Sequence, residues 1–200
     1  MTSAIGAASI QPTVSRFSGG GGGGGGMPAV SVDSSLPPGF LYHVMITHDW
    51  GTDELGRNNH ATNIMLNEAL KARGFNTWFD EDRMEGDIVQ QMADGIEKSA
   101  CVLVAITQRY MTKVSGTNDN DNCKIEFGHA QRNKTAAKMI PVPIEPRCMN
   151  PQAWTGPVGA VLGGQLYHAN LAFDILADRA RFDAEVDKIA DRIRAICSRL

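Results

Sequence analysis

A chain of 200 residues accommodates one ordinary domain with residues to spare, and 42% apolar residues are enough to build its core. A formal net charge of −3, with basic residues that do not cluster, removes the electrostatic case for a nucleic-acid partner. No apolar run approaches the ~20 residues of a spanning helix, and Thr2 stands where an N-myristoyl signal needs glycine, so no membrane partner is expected.

Residues 1–38 read as a disordered tail. The stretch before Gly19 is small, Ser-rich and almost uncharged, and an unbroken glycine tract follows from Gly19 to Gly26. Ordering such a tract costs more than it can bury. No strand precedes it and no Gly-Lys-Ser/Thr follows, so it is not a phosphate cradle. Arg16 is too little arginine to read the tail as an organelle-targeting segment. Pro37-Pro38-Gly39 closes it, and a single domain is expected over 39–200.

From Phe40 onward strands and helices alternate. Phe40–Thr47 predicts a first strand, followed by a long polar loop, His48–Asn59. His60–Arg73 predicts a helix with Ile64, Leu66 and Leu70 inward and Gly74 as its stop. Phe75–Phe79 is aromatic and β-prone, a second strand. Asp80–Gly86 is a charged loop closed by glycine, and Asp87 is placed to cap a helix whose inward face carries Ile88, Met92 and Ile96. Cys101–Ile106 is apolar without alternation, as expected of a strand covered on both faces. Strand, helix and strand at this spacing make a βαβ unit of a parallel sheet. Gln108–Asp121 reads as a loop, and Asn122 as the cap of a helix carrying Cys123, Glu126, His129 and Ala130. Met139–Ile144 predicts a fourth strand, weakened by Pro141 and Pro143, and Leu166–Ala169 a weak fifth. Phe182, Val186, Ile189, Ile193, Ile196 and Leu200 keep one face of a C-terminal helix. The reading is an α/β domain with a five-stranded parallel sheet flanked by helices.

Several kinds of chemistry drop out. The five histidines lack metal-ligand spacing, no CxxC occurs, and no metal site is expected. Asp119–Asn122 lacks the glycine and the closing carboxylate of a calcium loop. There is no GxSxG, and no GxGxxG outside the glycine tract. The four widely spaced cysteines read as reduced thiols, which points to the cytoplasm. Two features remain, both expected at the carboxyl edge of the sheet where open α/β sheets bind ligands. One is Thr47, His48, Asp49 and Trp50 after the first strand; the other is Glu126. Taken alone, Glu126 also reads as a first-turn acid complementing a helix dipole, and Trp50 as a half-buried loop aromatic.

The order of these segments resembles the TIR (Toll/interleukin-1 receptor and resistance-protein) domain over about Leu41 to Pro146. Tyr42–Asp49 is similar to the family's first box. Leu70–Asp82 is similar to the passage into its second strand, and Arg83–Ile88 to its BB loop. Gly95–Ser99 followed by CVLVAIT, and Cys123-Lys124-Ile125-Glu126, complete the series. The resemblance implies a flavodoxin-like fold and intracellular signalling. It implies either an NAD+ glycohydrolase cleaving the nicotinamide–ribose bond or a non-catalytic TIR–TIR interaction module. It assigns Glu126 as the catalytic carboxylate, with Thr47, His48, Asp49, Trp50 and Cys123 around the substrate. Asp80, Glu81, Asp82, Arg83, Met84, Glu85 and Gly86 become a BB loop for assembly. NAD+ enters as substrate and no cofactor is expected. The implied partners are further copies of the chain and other TIR proteins. Ile125 and Asn122 stand where some NAD-cleaving members carry an aromatic, and Trp50 is the substitute within reach.

Overall fold

The strand β3 (Ser99–Ile106) is buried at all of its positions, and the sheet is built around it. On one side it pairs with β1 (Tyr42–Thr47), which in turn pairs with β2 (Thr77–Trp78). On the other side lies β4 (Met139–Pro143). The computed structural model describes residues 35–79 and 88–200. Among them the sheet has four strands, all parallel, in the order β2-β1-β3-β4. The chain divides into two units, Met1–Asp33 and Ser34–Leu200. The first lies outside the described residues, and with it most of the expected tail. Asp80–Gly86 and the expected cap Asp87 also lie outside.

Strand side chains alternate between two faces, and each face meets helices. Val44, Ile46, Leu103 and Ala105 pack against α1 (Asn59–Ala72) and α6 (Arg179–Cys197), through Leu66, Leu70, Phe182 and Val186. Met45, Val102, Val104 and Ile106 face the other way, against α2 (Ile88–Lys98), α3 (Gln108–Ser115), α4 (Asn122–Asn133) and α5 (Gly156–Leu162). A sheet covered on both faces is why β3 carries no polar alternation. In α1 the buried positions are Asn59, Asn63, Leu66, Asn67 and Leu70, so Ile64 sits at the border of the core. The buried asparagines are tied locally: Asn63 donates to the Asn59 carbonyl at 2.8 Å, and Asn67 accepts from Thr77 at 2.6 Å.

The structure corrects the expected element list in four places. No fifth strand forms at Leu166–Ala169, and the outer edge of β4 explains why. The Ile144 N–H bonds to the Ile106 carbonyl on the β3 side at 3.1 Å. Pro141 and Pro143 therefore face outward, and neither has an N–H to offer a neighbour. The Pro143 carbonyl takes one bond, from the Leu171 N–H at 2.8 Å, but neither proline has the N–H that would extend a ladder. Second, the expected loop after β3 begins with α3. Thr107 caps it, accepting from the Tyr110 N–H at 2.9 Å. Its buried side chains, Tyr110, Met111 and Val114, are too few to announce a helix beside the Asn/Asp-rich run that follows. Third, α4 is capped by Asp121, which accepts from the Cys123 N–H at 2.9 Å, and Asn122 is its first residue. Fourth, the chain adds α5, a seven-residue helix too short to carry a periodic signal. Among the described residues, no helix is long and apolar enough to cross a membrane. All four cysteines are free thiols.

Candidate active site

A parallel sheet sends its connections out at the carboxyl ends of its strands. When those connections diverge to opposite faces, they leave a crevice. Here the chain leaves β1 for α1 on one face and leaves β3 for α3 and α4 on the other. A cleft of about 240 Å³ opens beside this divergence. His48 and Trp50 line it from the loop after β1, and Trp78 from the end of β2. From the helices come Gln91 and Met92 of α2, Lys113 of α3, and Asn122, Cys123 and Glu126 of α4.

Glu126 is the carboxylate of this cleft. It is the fifth residue of α4 and not in its first turn, so the reading as a dipole-complementing first-turn acid does not describe it. It is 6% exposed, and Thr47 at the end of β1 donates to its Oε2 at 2.5 Å. Thr47 in turn lies 3.1 Å from the Tyr110 hydroxyl.

Trp50 and Trp78 supply aromatic walls. Trp50 is 47% exposed and stacks on His60 with ring centroids 3.8 Å apart. Trp78 is buried, and α2 passes close over its ring because residue 95 is glycine. A Cβ at Gly95 would come within 2.5 Å of the indole. Gly95 thus lets the helix press Trp78 into place beside the cleft.

His48 is buried between Trp50, His60 and Phe79, with its Nε2 2.7 Å from His60 Nδ1. Burial first, then the neighbouring His60, lower its pKa to about 3, against a weaker opposing pull from Asp49. His48 is therefore neutral at physiological pH and unsuited to acid catalysis there. Its ordinary value is 6.5, so above that pH both folded and unfolded states carry it neutral. Between 6.5 and about 3 the unfolded chain takes up a proton that the folded domain refuses. Stability therefore decreases as the pH is lowered through that window, by on the order of 2 kcal/mol at pH 5. Urea midpoints at pH 7.5 and 5 measure this, and a His48→Gln domain with an unchanged slope would disprove it.

The other expected binding residues are distributed unevenly. Cys123 lines the cleft with its thiol pointed at the His48 carbonyl at 3.5 Å. Burial, then the nearby Glu126, pushes that thiol well above its ordinary range, so it is no nucleophile. Thr47 is set behind Glu126. Asp49 does not line the cleft and organises the loop: it accepts from the Gly51 N–H at 2.8 Å and pairs with Arg109 at 3.0 Å and Lys113 at 3.2 Å. Burial raises the Asp49 pKa, but the Gly51 N–H, Lys113 and Arg109 outweigh it and hold the carboxyl below its ordinary range. The loop beyond is fastened by Arg57, which pairs with Asp53 at 2.6 Å and donates to the Ile144 carbonyl at 2.8 Å. The seven acidic-loop residues named for assembly, Asp80 to Gly86, lie outside the described residues.

Sequence reasoning missed Trp78, Gln91 and Lys113. A signal existed for Trp78, an aromatic at the carboxyl end of a strand in a parallel sheet. Lys113 carries none, because its segment reads as loop in sequence. Among the described residues, no group of three His, Cys, Asp or Glu side chains is gathered to hold a metal ion.

The site can stabilise positive charge beside a buried carboxylate and stack a planar group on indole. It holds no poised acid–base pair and no activated thiol among the described residues. Comparison with known proteins gives a consistent picture. The sequence model of the TIR domain matches residues 44–192. No curated protein matches the chain. Among solved structures, a metazoan TIR-STING receptor from C. gigas is similar in fold, with a TM-score of 0.52 and 17% identity. The match covers 80% of this chain and 42% of the receptor, so the chain spans less than half that protein's length.

Proposed function

Because this chain belongs to the TIR-domain family, a family of signal-transduction domains, we propose that it cleaves NAD+ at the nicotinamide–ribose bond, with Glu126 as the catalytic carboxylate. The observation that carries this reading is a buried glutamate, anchored by Thr47, in a cleft flanked by Trp50 and Trp78.

The reaction asks little more of the protein. An ordinary glycoside needs an acid to protonate its leaving oxygen and a second carboxylate. The nicotinamide of NAD+ is already cationic and leaves as a neutral amide, and one water molecule adds to the ribosyl carbon and gives up a proton to solvent. What the enzyme must do is hold the ribose and stabilise an oxocarbenium-like transition state. A carboxylate fixed beneath the ribose does so electrostatically, and does it best where water is excluded. The indole faces offer stacking surfaces for nicotinamide or adenine. NAD+ is then substrate rather than cofactor, and free thiols at all four cysteines suit a cytoplasmic setting.

Self-association belongs to the same proposal. Ile88 and Val89, at the start of α2, are 41% and 51% exposed, and Ile88 also lines the cleft. A second copy covering them would close the cleft on its open side and position the ribose. The purified chain incubated with NAD+ is expected to release nicotinamide. Its activity per molecule is expected to rise with protein concentration and then level off. A dilute, demonstrably monomeric chain with the specific activity of the concentrated protein would remove assembly from the proposal. If no nicotinamide appears at any concentration, the same exposed apolar side chains favour the second reading, a non-catalytic TIR–TIR contact module.

A further inference from the structure

Glu126 is reached from behind by a chain of buried hydroxyls. Tyr110 on α3 is fully buried, and its oxygen lies 3.1 Å from Thr47 Oγ1. Thr47, also buried, lies 2.5 Å from Glu126 Oε2. Thr47 has one hydrogen. If it goes to the carboxylate, Tyr110 must be the donor to Thr47. We propose that Tyr110 and Thr47 form a donor relay that holds Glu126 ionised and fixes the direction of its carboxylate, which makes both of them positioning residues.

Acceptor strength explains why the relay selects the charged form. With Glu126 ionised, the hydroxyl hydrogens of Tyr110 and Thr47 each have an acceptor in the next group. Protonating Glu126 leaves its Oε2 a neutral acceptor, which takes the Thr47 hydrogen more weakly than a carboxylate does. The relay loses strength with the charge, so it opposes protonation. Tyr110 can act only as a hydroxyl here: burial, then nearby Cys123 and Glu126, pushes its phenol far above its ordinary range.

Several other ionisable groups stand near the carboxylate. His48 and Asp49 come from the segment after β1, Lys113 from α3, and Asp121 and Cys123 from the start of α4. His48 is neutral, and Cys123 keeps its proton. Lys113 is already shared between Asp49 at 3.2 Å and Asp121 at 3.6 Å. From α2, Gln91 and Met92 reach the cleft and carry no charge. Thr47 donates directly to the carboxylate, and a hydrogen bond to the charged form favours that form. The family resemblance implies that Thr47 lies beside the substrate; its hydrogen bond to the carboxylate suits it to this other task.

The catalytic consequence rests on the NAD+ reading, but the relay is measurable without it. Thr47→Val keeps the shape and removes the hydroxyl, Thr47→Ser keeps the hydroxyl, and Tyr110→Phe keeps the ring and its edge contact with Phe127. The Glu126 side-chain carboxyl is followed by ¹³C NMR through a pH titration of the whole chain. In parallel, the acid limb of kcat/KM for nicotinamide release is recorded. Thr47→Val is expected to raise the Glu126 pKa by about one unit and to move the acid limb with it. Tyr110→Phe is expected to move both the same way by less, and Thr47→Ser to restore them. A carboxyl that titrates in Thr47→Val and Tyr110→Phe as it does in the unchanged protein overturns the relay, whatever the turnover. If the unchanged protein releases no nicotinamide while the NMR shift appears, the relay stands and the NAD+ reading fails. If Thr47→Val does not fold, Tyr110→Phe decides the question alone.

Discussion

Glu126→Gln is expected to reduce nicotinamide release by at least about 10²–10³-fold, the usual cost of losing one preorganised electrostatic stabiliser. The substitution keeps the shape of the side chain, and its amide oxygen still accepts from Thr47, which lies 2.5 Å from the carboxylate in the unchanged protein. What is lost is the charge, which converts a charge-assisted hydrogen bond into a neutral one. That difference is about 1 kcal/mol and moves the Tm of a domain of this size by a few degrees. The pairing of results is what identifies the role: turnover collapses while the melting curve barely moves. Surviving turnover would make Glu126 a structural residue and leave the cleft without its reactive group. A large drop in Tm with proportional loss of activity would instead place Glu126 in the core.

The other large effect is on the fold. Leu103 sits in the middle of β3, opposite Ile46 and Ile140, and is completely buried between the sheet and the helices α1 and α6. Leu103→Asp brings a carboxylate to a place with no cation to pair it and no water to solvate it. The cost is several kcal/mol, comparable with the ~5–15 kcal/mol that holds an ordinary domain together. The variant is expected to be insoluble, or to lack a cooperative unfolding transition. Leu103→Met conserves volume and is expected to cost less than about 1.5 kcal/mol. Circular dichroism during urea unfolding compares the two. A soluble Leu103→Asp domain with a cooperative transition near that of the unchanged protein would mean that β3 is not the two-sided core strand described here.

Much of this architecture is local information. The unbroken run Cys101–Ile106 announces a strand covered on both faces, and the spacing of Phe182, Val186, Ile189 and Ile193 announces α6, because burial on a strand or helix repeats at a fixed period. The same logic fails where an element is short or depends on its surroundings. Only Thr77 and Trp78 of the aromatic run Phe75–Phe79 form strand, although Phe75 and Phe79 are as buried as Trp78 and Thr77 is only half-buried. α3 announces itself by little more than a threonine cap, because its buried face is only Tyr110, Met111 and Val114. The weak strand at Leu166–Ala169 is refused by a neighbour, since the prolines of β4 leave its edge without donors. No pattern within residues 166–169 carries that information.

The site divides along the same line. That a histidine, a tryptophan and a glutamate fall at the carboxyl edge follows from chain order, because a parallel sheet brings the residues after each strand to one rim. Chain order does not say which side chains meet there. Thr47 and Glu126 are 79 residues apart in sequence and 2.5 Å apart in space. Asp49 and Arg109 are 60 apart and 3.1 Å apart. Thr47 turns behind the carboxylate because it is the last residue of β1, and Asp49, which does not line the cleft, collects Gly51, Arg109 and Lys113. Trp78 becomes a wall because Gly95 lets a helix close over it. Residue type and period express what one segment prefers. Convergence depends on the packing of several segments at once, and that is set by distances no single segment contains.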